Sequence, residues 1–274
     1  MTSVASLTRE RAGADPDGRR DARILLAHVL GRRSPGALDP EGPVAAAEEE
    51  RFLALWERYR RGEPVQYLIG EWDFFGRTFR VDPRALIPRP ETEHVVEEAR
   101  REAPAPRRIL DLGCGSGILA VTLALEFPAA VVVGIDRSLA ALALARENVR
   151  EHGAGRRAAL AASDWLAAIG PGRFDLVVSN PPYVAAQERG ALPASVREFE
   201  PPEALFSAAD GLSDIRHLLA AVPRVLVPGG AFLCEIGFGQ KDAVAREAED
   251  AGWEIRRFAA DLAGIPRVCV LRRR

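Results

Sequence analysis

The hydrophobic positions of the first 61 residues recur with the spacing of helices. Asp21 is placed to cap one helix, ARILLAHVL, and Pro43 to open a longer one. The longer helix carries an aromatic stripe on one face, made of Phe52, Trp56 and Tyr59. Because such a stripe is typical of a packed core, the pattern predicts a small helical bundle.

The spacing becomes strand-like in the next stretch of the chain. VQYLIG starts this stretch and FFGRTFRV continues it, with Gly76-Arg77 at the expected turn of a hairpin. We therefore expect a helical domain over residues 1–64, a β-hairpin linker over residues 65–82 and a second domain over residues 83–274.

Strand-like and helix-like runs alternate beyond Pro83. Strand-like runs end near Leu110, at Asp136 and at Val178, and a further run, AFLCEIG, follows Pro228. Alternation of this kind predicts a mostly parallel α/β sheet with helices on both faces, and ligands at the carboxyl ends of its strands. Two motifs follow these strand ends directly, so we expect them to meet in one crevice.

The first motif is the glycine-rich segment DLGCGSG, between a strand-like run and a helix-like run. Glycines at 113, 115 and 117 allow the backbone to approach a ligand closely at a helix N-terminus. The next strand ends in Asp136, 19 residues after Gly117, near the ~20 at which an acidic side chain reaches ribose hydroxyls. Two alternatives remain. One is an NAD or FAD site, although Ile118 stands at the position of the third glycine in that fingerprint. The other is a tight turn that binds no ligand.

The second motif, Asn180-Pro181-Pro182-Tyr183, follows the apolar run that begins at Phe174. Two successive prolines cannot continue a strand ladder, so they turn the chain out of the sheet. The motif suits a planar –NH2 group, because Asn180 Oδ1 and the Pro181 carbonyl can accept its two N–H bonds while Tyr183 packs on its face. The alternative is a proline-capped loop after a buried strand.

Composition and charge narrow the classes of function. With 274 residues, 47% of them hydrophobic, the chain is long enough for one large core and a smaller second core. The formal net charge is −2, and the first 80 residues hold 13 arginines against 13 acidic residues. This balance argues against binding nucleic acid mainly through phosphate neutralisation and suits a protein partner better.

The usage of cysteine and the lack of long apolar runs predict a metal-free protein of the cytoplasm. Cys114, Cys234 and Cys269 are far apart and form no CxxC or Cys/His cluster. No stretch approaches the ~20 apolar residues of a membrane span, and the N-terminus lacks the apolar region of a signal peptide. We therefore expect a soluble, cytoplasmic protein without disulfides.

A series of segments, in order along the chain, resembles the protein-glutamine methyltransferases of peptide chain release factors. The segments are GEPVQYLIGEWDFFGRTFRVDPRALIPRPETE, DLGCGSG, SNPPY, EPPEAL, DGL, PGG, EIGFGQ and DLAGIPRV. The resemblance runs from about Asp21 to the C-terminus. It implies a Rossmann-like, seven-stranded S-adenosylmethionine-dependent methyltransferase domain whose last strands form a hairpin, preceded by the small all-helical domain and the hairpin linker.

The resemblance also implies a reaction. Members of the family transfer a methyl group from S-adenosylmethionine to the side-chain amide of the glutamine in the Gly-Gly-Gln loop of bacterial release factors, and S-adenosylhomocysteine is left. Asn180, Pro181 and Tyr183 are then the expected catalytic residues, and with Pro182 they bind the glutamine. The expected cofactor-binding residues are Gly113, Cys114, Gly115, Ser116, Gly117, Asp136, Trp165 and Asn180.

At three further places the sequence allows a second role or departs from the family pattern. Trp165 is expected beside the adenine, and the alternative is a plain core aromatic. The loop Ile87–Glu93 opens a helix, and the resemblance suggests that it also lines the methionine end of the pocket. Cys114 stands where relatives commonly have threonine, which should be tolerated because backbone groups bind the ligand there.

Other functions fit parts of the same pattern. A nucleic-acid methyltransferase would use the same acceptor pair for an exocyclic base amine, but it needs aromatic stacking and a basic channel. A ribosomal protein is an alternative glutamine substrate. A non-catalytic factor-binding protein is disfavoured by the intact glycine loop, acid and NPPY. We therefore expect release factors as protein partners, with no membrane and no direct nucleic-acid substrate.

Overall fold

The computed structural model describes residues 2–13, 15–208 and 210–273, and the chain divides into two compact units. The smaller unit comprises the residues up to Glu71 together with Pro193–Phe199. The larger unit comprises Trp72–Leu192 and the residues from Glu200 onward.

The smaller unit is a helical bundle with an aromatic centre. Its elements are the paired short strands β1 (Thr2–Ser3) and β2 (Pro43–Val44) and the helices α1 (Val4–Ala12), α2 (Pro16–Val29), α3 (Ala46–Arg60), α4 (Val65–Ile69) and, further along the chain, α8 (Ala194–Phe199). Phe52 and Trp56 are buried, and the Trp56 ring stacks on Phe52 and on Tyr59 at centroid distances of 6.1 and 4.9 Å. The predicted aromatic core is confirmed.

The predicted helix starts at Asp21 and Pro43 are wrong. Helix α2 is capped by Asp15, whose carboxylate accepts hydrogen bonds from two amides of the first turn. Asp21 is buried inside α2 and accepts a hydrogen bond from the Tyr59 hydroxyl at 3.0 Å. Pro43 lies in β2, and α3 starts after Ala45, whose amide donates to the Glu48 carboxylate at 2.9 Å.

The predicted strand at VQYLIG is also wrong, because Val65–Ile69 forms helix α4. Val65 and Leu68, one helical turn apart, are both buried, and Gly70 ends the helix in the left-handed conformation with φ of 75°. Five apolar-rich residues are too few to separate a helical from a strand period. Packing within the bundle decides the conformation here.

A hairpin does follow, but it is shorter than predicted and its turn is shifted by one residue. Strands β3 (Glu71–Phe74) and β4 (Arg77–Arg80) pair through the loop Phe75-Gly76, whose φ angles of 51° and 70° are those of a type I′ turn. Phe74 and Phe79 are buried in a core of the larger unit. The structure thus places most of the hairpin within the larger unit rather than in a separate linker.

The larger unit is built on a seven-stranded sheet in the order β10-β11-β9-β8-β5-β6-β7. Strands β9, β8, β5, β6 and β7 run parallel, and β11 pairs antiparallel with both β9 and β10. The strands are β5 (Arg108–Leu112), β6 (Val131–Asp136), β7 (Ala158–Ala162), β8 (Phe174–Ser179), β9 (Leu226–Glu235), β10 (Glu254–Ala260) and β11 (Pro266–Arg272). The expected mostly parallel sheet with a terminal hairpin is confirmed.

Helices cover both faces of this sheet. They are α5 (Glu93–Glu102), α6 (Ile118–Glu126), α7 (Leu139–Glu151), α9 (Ser213–Ala221) and α10 (Lys241–Asp250). Alternate residues of each strand enter different cores: in β8, Leu176 and Val178 join the core containing α5 and α6, whereas Val177 joins the core containing α9 and α10. Within the described ranges, no helix is long and apolar enough to span a membrane.

Candidate active site

Three glycines shape the turn between β5 and α6. Gly113, Gly115 and Gly117 have φ angles of 71°, 54° and 80°, in the region that favours glycine. The amides of Gly113 and Cys114 both donate to the Ile135 carbonyl in the neighbouring strand β6, at 2.8 and 2.9 Å. These bonds hold the glycine turn against the carboxyl end of β6.

Asp136, the last residue of β6, ties the same turn to helix α7. Its Oδ2 accepts from the Gly115 amide and its Oδ1 from the Ser138 amide, both at 2.8 Å. Ser138 in turn caps α7 by accepting from the Ala141 amide at 3.2 Å. A carboxylate has about four acceptor sites, so Asp136 can still accept hydrogen bonds from a ligand.

A cavity of about 1020 Å3, its open mouth included, lies where β5, β6 and β8 end. Its lining includes several of the predicted site residues, namely Gly113, Cys114, Gly115, Ser116, Asp136, Trp165, Asn180 and Pro182. The glycine loop and the NPPY motif therefore meet in one crevice, as their positions at neighbouring strand ends predict.

Three of the predicted residues lie outside this lining. Gly117 packs against α7, where an added Cβ would lie 3.0 Å from the Ala145 Cβ, so this glycine permits close helix packing. Pro181 is buried behind Asn180, and Tyr183 turns its phenol toward Glu235 rather than toward the cavity. Of the NPPY motif, Asn180 and Pro182 line the cavity.

Trp165 belongs both to the cavity wall and to the core. It packs against the core that contains α9 and α10, and its ring lies 6.4 Å from that of His217. The edge of the ring lies near the glycine turn, because a Cβ added to Gly113 would lie 3.6 Å from Trp165 Cζ3. Its φ of 43° is unusual for a residue other than glycine and aims the ring at this position. The two sequence-based alternatives for Trp165 are therefore compatible.

The buried Asp111 is the polar group of the cavity wall that lacks a partner. Neither of its carboxylate oxygens has a hydrogen-bond partner of normal geometry among the described residues, although the Ala120 amide lies near enough to lower its pKa. Burial, with a smaller contribution from the charge of Asp136, raises the pKa of Asp111 to about 8. A buried carboxyl in this condition is stabilised by a cationic or hydrogen-bonding ligand in the cavity. Across the described ranges, no cluster of three or more His, Cys, Asp or Glu is arranged to hold a metal ion.

The NPPY motif contains two oxygens that accept no hydrogen bond from the described residues. The Asn180 side chain donates through Nδ2 to Thr92 Oγ1 at 3.1 Å, while Oδ1 accepts no hydrogen bond from the described residues. The Pro181 carbonyl oxygen likewise accepts none from them. Two such oxygens can receive the two N–H bonds of an amide or amine.

Gln240 anchors the backbone of this motif. Its Nε2 donates to the carbonyls of Tyr183 and Gly211 at 3.0 and 3.2 Å, and its Oε1 accepts from the Gly237 amide at 2.8 Å. Gly211 lies so close to the NPPY backbone that an added Cβ would be 2.4 Å from the Tyr183 carbonyl oxygen. The DGL and EIGFGQ segments therefore fix the backbone that follows NPPY, a role that the sequence alone did not indicate.

The cavity has a further wall, which includes part of the loop Ile87–Glu93 that the family resemblance suggested as a lining segment. Residues 84–89 line it together with Pro201, Glu203 and Ala204. The two segments are joined by Glu200, which is 3% exposed and accepts from Arg89 Nη2 at 2.5 Å and from the Ile87 amide at 3.1 Å. Both segments belong to the family-like series, but no local pattern pairs residues more than 100 positions apart.

Two family models match this chain. "PrmC N-terminal domain" matches residues 5–70, and "Methyltransferase small domain" matches residues 92–196. Among solved structures, a methyltransferase from Pyrococcus furiosus aligns with a TM-score of 0.55 and 15% identity over 83% of this chain and 98% of that chain. This likeness supports the fold.

Curated relatives match nearly the whole chain. The release factor glutamine methyltransferase of Burkholderia pseudomallei is 44% identical, over 93% of this chain and 92% of its own length. That of Cereibacter sphaeroides is also 44% identical, over 96% of this chain and 94% of its own length. The protein therefore belongs to the release factor glutamine methyltransferase family.

Proposed function

We propose that this protein transfers a methyl group from S-adenosylmethionine to the side-chain amide nitrogen of the glutamine in the Gly-Gly-Gln loop of peptide chain release factors, with S-adenosylhomocysteine as the second product. The observation that carries the proposal is the free acceptor Asn180 Oδ1 on a residue that lines the glycine-loop cavity, followed in the chain by the Pro181 carbonyl, which also accepts no hydrogen bond from the described residues. An amide –NH2 has two donors to match them. The family and the names of its members support release factors as the substrate.

The residues of the cavity fit the parts of S-adenosylmethionine. Asp136 would accept from the ribose hydroxyls, Trp165 would cover the adenine, and the glycines at 113 and 115 would let the ligand lie close to the backbone. The unpartnered Asp111 would meet the cationic methionine part. The cofactor supplies a methyl group on a positively charged sulfur.

Positioning by Asn180 and Pro181 would supply most of the rate. An amide nitrogen is a poor nucleophile because its lone pair is delocalised, and well-oriented approach can lower a barrier by about 7–11 kcal/mol. The two acceptor oxygens bind the N–H groups more strongly as the nitrogen becomes cationic, which stabilises the transition state more than the bound substrate. Burial raises the pKa of Tyr183 above its usual value, so its phenol stays protonated and is no base. The amide proton can leave to water after transfer.

Two of the three arginines that line the cavity are already paired, and this favours a protein substrate over a nucleic acid. Arg84 is paired with Asp82 at 2.6 Å and with Glu147 at 2.9 Å. Arg89 is paired with Glu200. A nucleic acid needs cations that are free to meet its phosphates, and these two arginines are already neutralised. The helical residues 1–64 would provide the docking surface for the release factor in the cytoplasm, since one glutamine loop covers much less than the roughly 800 Å2 per partner of a stable protein interface.

The proposed function is tested by methyl transfer to an intact release factor, read by mass spectrometry of its Gly-Gly-Gln peptide. We expect a gain of one methyl group on the glutamine, and none on a release factor whose glutamine is replaced by asparagine, because the shorter side chain does not reach the acceptors. A synthetic peptide with the same loop should react with a lower kcat/KM than the whole factor if residues 1–64 provide docking. An unmodified glutamine after incubation with cofactor would refute the proposal.

Substituting Gly211 should disturb the NPPY backbone. In Gly211→Ala the new Cβ would overlap the Tyr183 carbonyl, and its φ of 72° adds strain of about 1–2 kcal/mol. Displacing reacting groups by about 1 Å can cost on the order of 100-fold in rate, so we expect kcat/KM to fall at least 10-fold.

Gly252→Ala is the matched control for this substitution. Gly252 has a similar φ of 80°, but nothing lies within 4 Å of an added Cβ. Backbone strain should lower the free energy of unfolding of both variants, measured with denaturant. A methyl-transfer assay should show a loss of activity only for Gly211→Ala. Equal activity of the two variants would mean that the NPPY backbone tolerates the displacement.

A further inference from the structure

A buried carboxylate holds one of the arginines of the cavity wall. The two oxygens of Glu200, which is 3% exposed, accept from Arg89 Nη2 at 2.5 Å and from the Ile87 amide at 3.1 Å. Arg89 lines the cavity, whereas Glu200 is not part of the lining. The charge of a cavity-wall arginine is therefore balanced by a carboxylate that a ligand in the cavity does not meet.

Arg89 belongs to the end of the cavity that contains Asn180. The Arg89 carbonyl accepts from the Thr92 amide at 3.1 Å, and the Thr92 hydroxyl accepts from Asn180 Nδ2 at 3.1 Å. Arg89 is thus two hydrogen bonds away from the residue that would hold the substrate amide. The sulfur of the cofactor must come near the same residue, because its methyl group passes to that amide. An unbalanced charge on Arg89 would consequently act on the sulfur.

A second arginine of the cavity wall is balanced in the same way. Arg84 is paired with Asp82 and Glu147 at 2.6 and 2.9 Å, and neither acid is part of the lining. The lining itself contains five acidic residues, namely Asp111, Asp136, Asp164, Glu203 and Asp214. Because outside acids balance two of the three lining arginines, the acids of the lining are not needed for them. A cleft with this balance of charges favours a cationic ligand.

We propose that Glu200 is a positioning residue that gives the cavity its preference for S-adenosylmethionine over S-adenosylhomocysteine. The two ligands differ in charge at one atom, because the first has a positively charged sulfonium and the second a neutral thioether. Glu200 acts through Arg89, whose charge it neutralises and whose guanidinium it holds in place. This inference rests on the proposed function. The consequence is that the protein takes up the methyl donor and releases the product more readily.

Glu200→Gln keeps the shape of the side chain and removes its charge, which leaves Arg89 as a free cation in the cavity wall. Titration calorimetry with each ligand gives the two dissociation constants. We expect the constant for S-adenosylmethionine, divided by that for S-adenosylhomocysteine, to rise about 5-fold, since unit charges near a protein surface still interact appreciably. A substitution that only loosened the loops around Glu200 would weaken both ligands alike. The ratio therefore separates charge neutralisation from a merely structural role.

Two further variants complete this test. The double variant Arg89→Gln with Glu200→Gln removes both charges and should return the ratio to within about 2-fold of that of the unmodified protein. Glu102→Gln is the matched control, because Glu102 is also buried and accepts from Arg257 and Arg272, both at 2.7 Å, but is not part of the cavity lining. We expect it to lower thermal stability and to leave the ratio unchanged.

An unchanged ratio in Glu200→Gln, or no recovery in the double variant, would overturn the inference. If Glu200→Gln does not fold, Arg89→Gln decides instead. It leaves the Glu200 carboxylate without its cation, so the ratio should fall, and an unchanged ratio would again overturn the inference. Failure of the proposed function is distinguishable, because the calorimetry needs no release factor, whereas the proposed function is refuted by a glutamine that stays unmethylated.

Discussion

Replacing Asn180 by alanine should abolish most of the methyl transfer and leave the fold and the cofactor site in place. The side chain contributes one free acceptor, Oδ1, and one hydrogen bond, to Thr92. Its loss removes an interaction that strengthens as the amide nitrogen becomes cationic. Removing one comparable group from an oxyanion hole costs on the order of 100-fold to 1000-fold in kcat, and we expect a loss of at least ~100-fold.

Single-turnover transfer of labelled methyl groups to a release factor measures this loss without interference from product release. Thermal unfolding is the control and should stay near the value of the unmodified protein. Because Asn180 is also an expected cofactor-binding residue, transfer is measured at saturating S-adenosylmethionine, with the affinity determined by calorimetry. Turnover within a few fold of normal would show that the Pro181 carbonyl suffices, and the two-acceptor mechanism would have to be abandoned.

The second large effect is expected on cofactor binding, from Asp136→Ala. A charge-assisted hydrogen bond contributes about 1.5–3 kcal/mol, so loss of the carboxylate should weaken S-adenosylmethionine binding by at least about 10-fold. The same change frees the amides of Gly115 and Ser138, which loosens the glycine turn and adds to the loss. Isothermal titration of the purified variant with the cofactor measures the change.

Asp175→Ala is the matched control for this variant. Asp175 also accepts hydrogen bonds from two backbone amides, those of Arg107 and Arg108, both at 2.8 Å. It lies near the start of β8, at the opposite end of the strands from the cavity. We expect it to lower thermal stability as Asp136→Ala does, but to leave cofactor affinity unchanged. Equal affinities of the two variants would place the ribose elsewhere.

The chemistry of the site could be predicted from short segments because their residues act through local constraints. Glycines at 113, 115 and 117 are required by backbone angles that other residues avoid, and two prolines after β8 must leave the sheet. Parallel strands present their carboxyl ends at one edge, so motifs after neighbouring strands meet. The alternation of strands and helices therefore predicted both the sheet and the crevice.

For the short elements, tertiary packing determined the conformation and the position of the turn. Val65–Ile69 has the composition of a strand but forms a helix, because burial of Val65 and Leu68 on one side within the bundle outweighs a weak local preference. The hairpin turn falls at Phe75-Gly76, where Phe74 and Phe79 on the flanking strands are both buried in the core. A shift of one residue would turn these side chains to the other face.

By itself, the sequence determined which groups carry the chemistry: the glycine loop, Asp136 and the NPPY acceptors. Only the tertiary structure decided how they are held, through the pairs Arg89–Glu200, Gln240–Tyr183 and Asn180–Thr92 and through the burial of Glu235. Each of these pairs joins residues more than 50 positions apart. A hydrogen bond between distant residues has no local period or spacing, since its formation depends on how the elements between them pack.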